Sequence, residues 1–174
     1  YKPSYMFSTT SGNTLLSKIK SDGVTDLDVG GFTAVHFVDL ADYDLTNVTY
    51  SDYSEIGDGS VKAWVDGTEL YIGGYRKIIA GSSLYYAFEK GVSINEITGI
   101  EMLDTSNVKD MGYMFERCGA DSESFKLDLG DNFDTSNVTR MSSMFMCCGE
   151  NSPVFTLNLG NKFDTSKVTY TNYM

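Results

Sequence analysis

The chain has 174 residues, 41% of them hydrophobic, and a mean hydropathy of −0.20. Its 24 acidic and 13 basic side chains give a net charge of −11, shared almost evenly between the two halves. That length and apolar content suit one soluble domain with a core of its own and exclude a disordered acidic tail. Clustered Lys and Arg, which phosphate neutralisation requires, are missing, so no nucleic-acid partner is expected. No apolar run reaches the roughly 18 residues of a membrane span.

In chain order, Leu15, Leu16 and Ile19 predict a short helix stopped by Gly23, followed by strands near 27–29 and 32–40. His36, the one histidine, lies in the second strand, either on the sheet surface or in a satisfied core position. Residues 44–53, Asp-Leu-Thr-Asn-Val-Thr-Tyr-Ser-Asp-Tyr, mirror a string near the C-terminus, and Ser4-Tyr5-Met6-Phe7 mirrors Gly112-Tyr113-Met114-Phe115. Residues 1–56 are therefore read as an irregular α+β region, a decayed copy of the unit that follows. Residues 57–81 read as a β-hairpin lead-in turning at Asp66-Gly67, which suits a two-residue type I′ turn. That register sets Val65 opposite Thr68, Ala63 opposite Leu70 and Val61 opposite Ile72, an apolar face expected to close the end of the array.

From 82 onward the sequence repeats. Asp-Thr-Ser-Asn-Val at 104–108 returns at 134–138, and Asp-Thr-Ser-Lys-Val stands at 164–168, every 30 residues. Met111, Met114, Phe115 and Cys118 align with Met141, Met144, Phe145 and Cys148, at the i, i+3, i+4, i+7 spacing of one helix face. Phe155, Leu157 and Leu159 alternate with polar residues, the period of a strand with one buried face, as do Phe125, Leu127 and Leu129. Neither element can bury its apolar side alone, but stacked on identical neighbours each column packs on its own copy. The expected fold class is α/β: a short leucine-rich-repeat-like solenoid of parallel strands and short helices, with three to four units in residues 82–174.

These strings resemble the BspA-like leucine-rich-repeat surface proteins of bacteria, closely over 100–174. Leu84-Tyr85-Tyr86-Ala87-Phe88 resembles a diverged Met-x-x-Met-Phe segment, and 57–74 resembles a lead-in to such arrays. The resemblance implies an extracellular, surface-anchored protein used for adhesion or host contact.

The residues themselves point to no catalytic, cofactor or metal site. A lone His36 would have to serve any Ser-His-Asp triad, and no phosphate loop or Cys-x-x-Cys is present. Cys118 and Cys148 share one column on the apolar face and are expected as buried thiols. The column Asp104, Asp134 and Asp164 has two readings: cation binding, or capping of the backbone N–H groups of its own Ser and Asn, with capping favoured. Asn47-Val48-Thr49 and Asn137-Val138-Thr139 match the glycosylation sequon inside those same strings.

Two sets of side chains have no evident core duty. Lys126, Asp128, Thr156 and Asn158 occupy outward strand positions and form polar columns suited to a host or matrix protein. Tyr85 and Tyr86, with neighbouring tyrosines, suit a surface glycan, since Tyr makes contacts at low entropic cost. The expected function is a non-enzymatic adhesion domain. The alternatives are a carbohydrate-binding module of a larger surface protein and a structural spacer.

Overall fold

The structure, a computed structural model, describes residues 2–174. Among them, ten strands form two sheets and a single segment is α-helical, α1 (Leu15–Ser21). That helix forms where Leu15, Leu16 and Ile19 share one buried face. Thr14 caps it: its hydroxyl accepts from the Ser17 N–H at 3.0 Å, while the Ser17 hydroxyl accepts from the Thr14 N–H at 2.9 Å. Lys18 and Lys20 oppose the dipole in the last turn, and Gly23 beyond it takes a left-handed φ of 75°.

The larger sheet is built from β2 (Ala34–Asp39), β3 (Ser51–Asp52), β4 (Val61–Asp66), β5 (Glu69–Gly74), β7 (Glu96–Thr98), β9 (Ser124–Asp128) and β10 (Val154–Asn158). Its order is β10-β9-β7-β2-β5-β4-β3, parallel except where β4 pairs with β3 and β5. A smaller parallel sheet joins β1 (Ser4–Tyr5), β6 (Ile78–Ile79) and β8 (Leu103–Asp104) in the order β1-β6-β8. Strand alternation sends Val35, Phe37, Ala63, Leu70, Ile72, Phe125 and Leu127 into one continuous core with α1. Burying each of the larger of these side chains contributes about 2 kcal/mol. The intervening positions, among them His36, Tyr71, Thr98, Lys126 and Asp128, fall on the sheet's other face.

The expected solenoid of strands and short helices is not the architecture, and the repeated Met-x-x-Met-Phe segments are where it fails. They form consecutive tight turns rather than helices. The N–H groups of Met111, Tyr113, Phe115 and Arg117 donate to carbonyls one unit on, those of Arg140, Ser142, Met144 and Met146, at 2.8–3.0 Å. The alternate groups, Met114, Glu116 and Cys118, donate three residues back, to Met111, Tyr113 and Phe115, at 3.0–3.3 Å. Leu84, Tyr86, Phe88 and Lys90 repeat the first pattern towards Asp110, Gly112, Met114 and Glu116. A free two-turn helix would leave its first four N–H and last four C=O groups unpaired, most of what it has. From Met111 to Cys118, alternating turn and inter-unit bonds take up the N–H groups instead, with that of Gly112 donating to the Asp110 carboxylate. The turns require left-handed residues at Tyr86, Lys90, Tyr113, Arg117, Ser143 and Cys147, with φ between 55° and 62°.

Like residues nevertheless pack on like. Phe88, Phe115 and Phe145 stack with centroids 5.3 and 5.6 Å apart and planes within 4°. Phe125 lies 5.6 Å from Phe155, and β9 pairs with β10 residue for residue from Ser124–Val154 to Asp128–Asn158. Because β10 is the edge strand, Phe155 is 38% exposed where Phe125 is 1% exposed.

The N-terminal region also departs from expectation. No strand forms at 27–29, where one is expected; Val29–Gly31 is a 3-10 turn, and β2 enters the middle of the large sheet, between β5 and β7. The hairpin therefore borders β2 rather than closing the end of the array. Its register is displaced by two residues: Val65 faces Leu70, Ala63 faces Ile72 and Trp64 faces Tyr71. The turn residues are Gly67 and Thr68, with positive φ at Gly67 alone, the type II′ pattern in place of the I′ turn at Asp66-Gly67. In the segment 44–48, Asp44 accepts from the Thr46 N–H as Asp104 does from Ser106. Tyr5 lies in β1, whereas Tyr113, its counterpart by sequence, lies in a left-handed turn.

Candidate interaction site

The strand alternation that buries Phe125 and Leu127 sets Lys126 and Asp128 on the outer sheet face, and β10 adds Thr156 and Asn158 beside them. Lys126 is paired with Thr156 and Asp128 with Asn158 in the β9–β10 register. Asn158 Nδ2 donates to Asp128 Oδ1 at 3.0 Å, and the two side chains also accept from the N–H groups of Gly160 and Gly130. Asp128 and Asn158 thus fix one another and the following turns, leaving Lys126 and Thr156 exposed. Next to them a shallow groove of about 320 Å³ is lined by Glu96, Thr98, Glu101, Lys126 and Asp128. Its carboxylates outnumber its single ammonium, so it favours a basic or hydrogen-bonding ligand.

Further along the same face the sequence left a cluster unread. Trp64 and Tyr71 stack at 5.4 Å, His36 lies 4.8 Å from Tyr71, and Tyr43 packs on Trp64 at 5.2 Å. His36 takes the sheet-surface position: Nδ1 meets the Thr98 hydroxyl at 2.6 Å and Nε2 meets Glu69 at 3.1 Å. Burial and the Glu69 carboxylate push the Tyr71 hydroxyl above its ordinary range. The two-residue shift of the hairpin register is what brings Trp64 opposite Tyr71; under the expected I′ register the two rings would not face each other.

Tyr85 and Tyr86 sit on the turn ladder and share no groove with the strand columns. They cluster with Tyr113: Tyr86 and Tyr113 stack at 4.7 Å and 17°, and Tyr85 meets both edge-on. Beyond them a trough of about 280 Å³ reaches Asp110, Arg140, Ser142, Tyr170 and Tyr173.

The aspartate column serves as caps. Asp104, Asp134 and Asp164 accept from the N–H groups of Ser106, Ser136 and Ser166 at 3.1, 2.8 and 2.8 Å. Burial would raise the Asp104 carboxyl, but the Lys77 ammonium at 2.6 Å and the Ser106 bonds outweigh it, to about 2. Asn137, in the sequon, ties two units together: its amide donates to the Ser106 carbonyl one unit back at 2.8 Å. All three cysteines are free thiols; burial pushes Cys118 well up and Cys148 to about 12, both far from thiolate chemistry. Cys118 is buried and Cys148 half-buried.

Among the described residues, no helix is long and apolar enough to cross a membrane. No curated protein and no solved structure matches the chain. One protein family does, described as "Mycoplasma protein of unknown function, DUF285", over residues 82–174. That stretch begins where the turn ladder begins and ends with the last unit; it is more than half of the chain, and the chain belongs to this family.

Proposed function

We propose that this chain is a non-enzymatic interaction domain of a bacterial surface protein, and that its outer sheet face engages a host or matrix protein. One observation carries the reading: the seven-stranded sheet buries one face and presents the other, with Lys126 and Thr156 projecting from rows held in register by Asp128 and Asn158. A rigid, ladder-bonded face lets a partner bind without ordering it first, which lowers the entropic cost of association. Membership in the family and the resemblance of the repeats to bacterial surface proteins support the surface setting.

The test is binding of the purified chain to a panel of immobilised extracellular-matrix and host-surface proteins. A partner whose affinity falls about tenfold or more on Lys126→Glu with Thr156→Arg, the fold being intact, supports the reading. Binding unchanged by that pair, or no partner in the panel, overturns it.

A further inference from the structure

Three of the edge strands of the two sheets, β1, β3 and β8, are two residues long, and β3 and β8 each carry an aspartate. The fourth edge, β10, has five residues, pairs with β9 without a bulge, and contains no charged side chain. Proteins blunt such edges with shortness, lysine or a bulge, because unpaired N–H and C=O groups recruit another strand. The alternation identifies the unpaired groups. The Asn158 carbonyl accepts from the Leu129 N–H at 2.9 Å, so Val154, Thr156 and Asn158 turn their backbone groups towards β9. Phe155 and Leu157 turn theirs outward. Pro153, just before the strand, has no N–H to offer, which confines pairing to the strand itself. On the core side Leu157 is 40% exposed, where Leu127, one unit back, is 0% exposed.

Charge falls away towards the same edge. Residues 120–149 hold five acidic and two basic side chains. Residues 150–174 hold Glu150 and Asp164 against Lys162 and Lys167, a net charge of zero in a chain of −11. Two copies repel one another over most of their surface but not here, and depletion of charge marks the centre of protein interfaces. A second copy has no matching strand for head-to-tail addition. The far edge of the sheet is the short β3, whose Asp52 is bonded to the N–H groups of Ser54 and Gly59. The strand that β10 matches is β10 itself, which makes the contact two-fold.

We propose that two copies of this chain associate through β10, antiparallel about a two-fold axis at Thr156, so that their large sheets run on as one. Phe155 of each copy then stands opposite Leu157 of the other and exchanges N–H and C=O bonds with it. Their side chains cover one another on the core side. The two outer faces lie on the same side of the joined sheet and present the Lys126 column twice. The association needs no other partner, so it stands or falls apart from the reading of the outer face.

The experiment is sedimentation of the purified whole chain, with nothing else added, from micromolar to sub-millimolar concentration. A reversible shift from 19.2 kDa to twice that mass is expected. Leu157→Pro removes an N–H that points away from β9, and Leu157→Lys sets an ammonium against the other copy's Phe155. Each should raise the dissociation constant about tenfold or more, while the Lys126 and Thr156 side chains stay in place. Hydrogen exchange of the parent chain keeps the test decisive should neither variant fold: the Phe155 and Leu157 amides should exchange more slowly as concentration rises. A monomer throughout, a dimer that both folded variants leave unchanged, exchange indifferent to concentration, or growth beyond a dimer overturns the proposal.

Discussion

Thr105 and Asp134 are joined by two hydrogen bonds through one hydroxyl: Thr105 Oγ1 donates to the Asp134 carbonyl at 2.9 Å and accepts from the Asp134 N–H at 2.8 Å. Thr135 repeats this with Asp164 at 2.8 and 2.6 Å. The threonine of each Asp-Thr-Ser string therefore ties its unit to the next one, while the aspartate caps its own turn. Thr105 is buried, so replacing its hydroxyl by a methyl leaves both Asp134 backbone groups without it. Thr105→Val is expected to cost about 2 kcal/mol in denaturant unfolding. Thr165→Val, at the exposed equivalent position in the last unit, is expected to cost under about 0.5 kcal/mol. Equal losses would contradict the clip.

Two glycines separate backbone strain from steric contact. Gly119 and Gly130 have nearly the same φ, 64° and 66°, so an added Cβ is equally strained at both. At Gly119 that Cβ would also stand 2.2 Å from the Phe125 ring, while at Gly130 nothing lies within 4 Å. Gly130→Ala should cost about 1 kcal/mol and Gly119→Ala about 3 kcal/mol or more, read as the difference in chemical unfolding midpoints.

At Cys147 the prediction has the opposite sign. This half-buried residue holds φ of 55° in the turn ladder, a conformation glycine adopts freely. Cys147→Gly is expected to gain up to about 1 kcal/mol, and Cys147→Val, β-branched, to lose about as much. A thermal melt of the two variants beside the parent chain orders them.

Acid should weaken the fold through the caps. The Asp104 carboxyl stands at about 2 against an ordinary 3.8, and Asp134 and Asp164 are lowered by bonds from Ser136 and Ser166. The folded chain therefore binds fewer protons than the unfolded one over this window. Their stabilisation is complete above about pH 4 and is lost as pH falls towards 2. The melting temperature should decline across that window, and Asp104→Asn should flatten the decline. A decline as steep in that variant as in the parent would remove Asp104 from the explanation.

What the sequence revealed was local. The Leu15, Leu16 and Ile19 face, the Phe125–Leu127 and Phe155–Leu157 alternation and the 30-residue period each express a rule within a few residues, and the strands and α1 formed there. The Met-x-x-Met-Phe segments misled because a helix face and a stacked turn bury the same positions. What separates them is an inter-unit bond from every second N–H, together with left-handed residues that are not glycine and so leave no mark in the sequence. The place of β2 between β5 and β7 is a long-range pairing, invisible to any local pattern. Of the candidate sites, Lys126, Asp128, Thr156 and Asn158 were legible from alternation alone. The Asn158–Asp128 bond depends on which units adjoin and at what height.

The most direct measurement is the backbone conformation of residues 111–118 and 141–148 in solution by NMR. Stacked turns predict positive φ at Tyr113, Arg117, Ser143 and Cys147, seen as strong intraresidue HN–Hα contacts, together with contacts from the Phe115 amide to the Met144 backbone. An unbroken series of Hα(i)–HN(i+3) contacts from Met111 to Cys118, with negative φ throughout, would be a helix and would contradict the stacked-turn ladder.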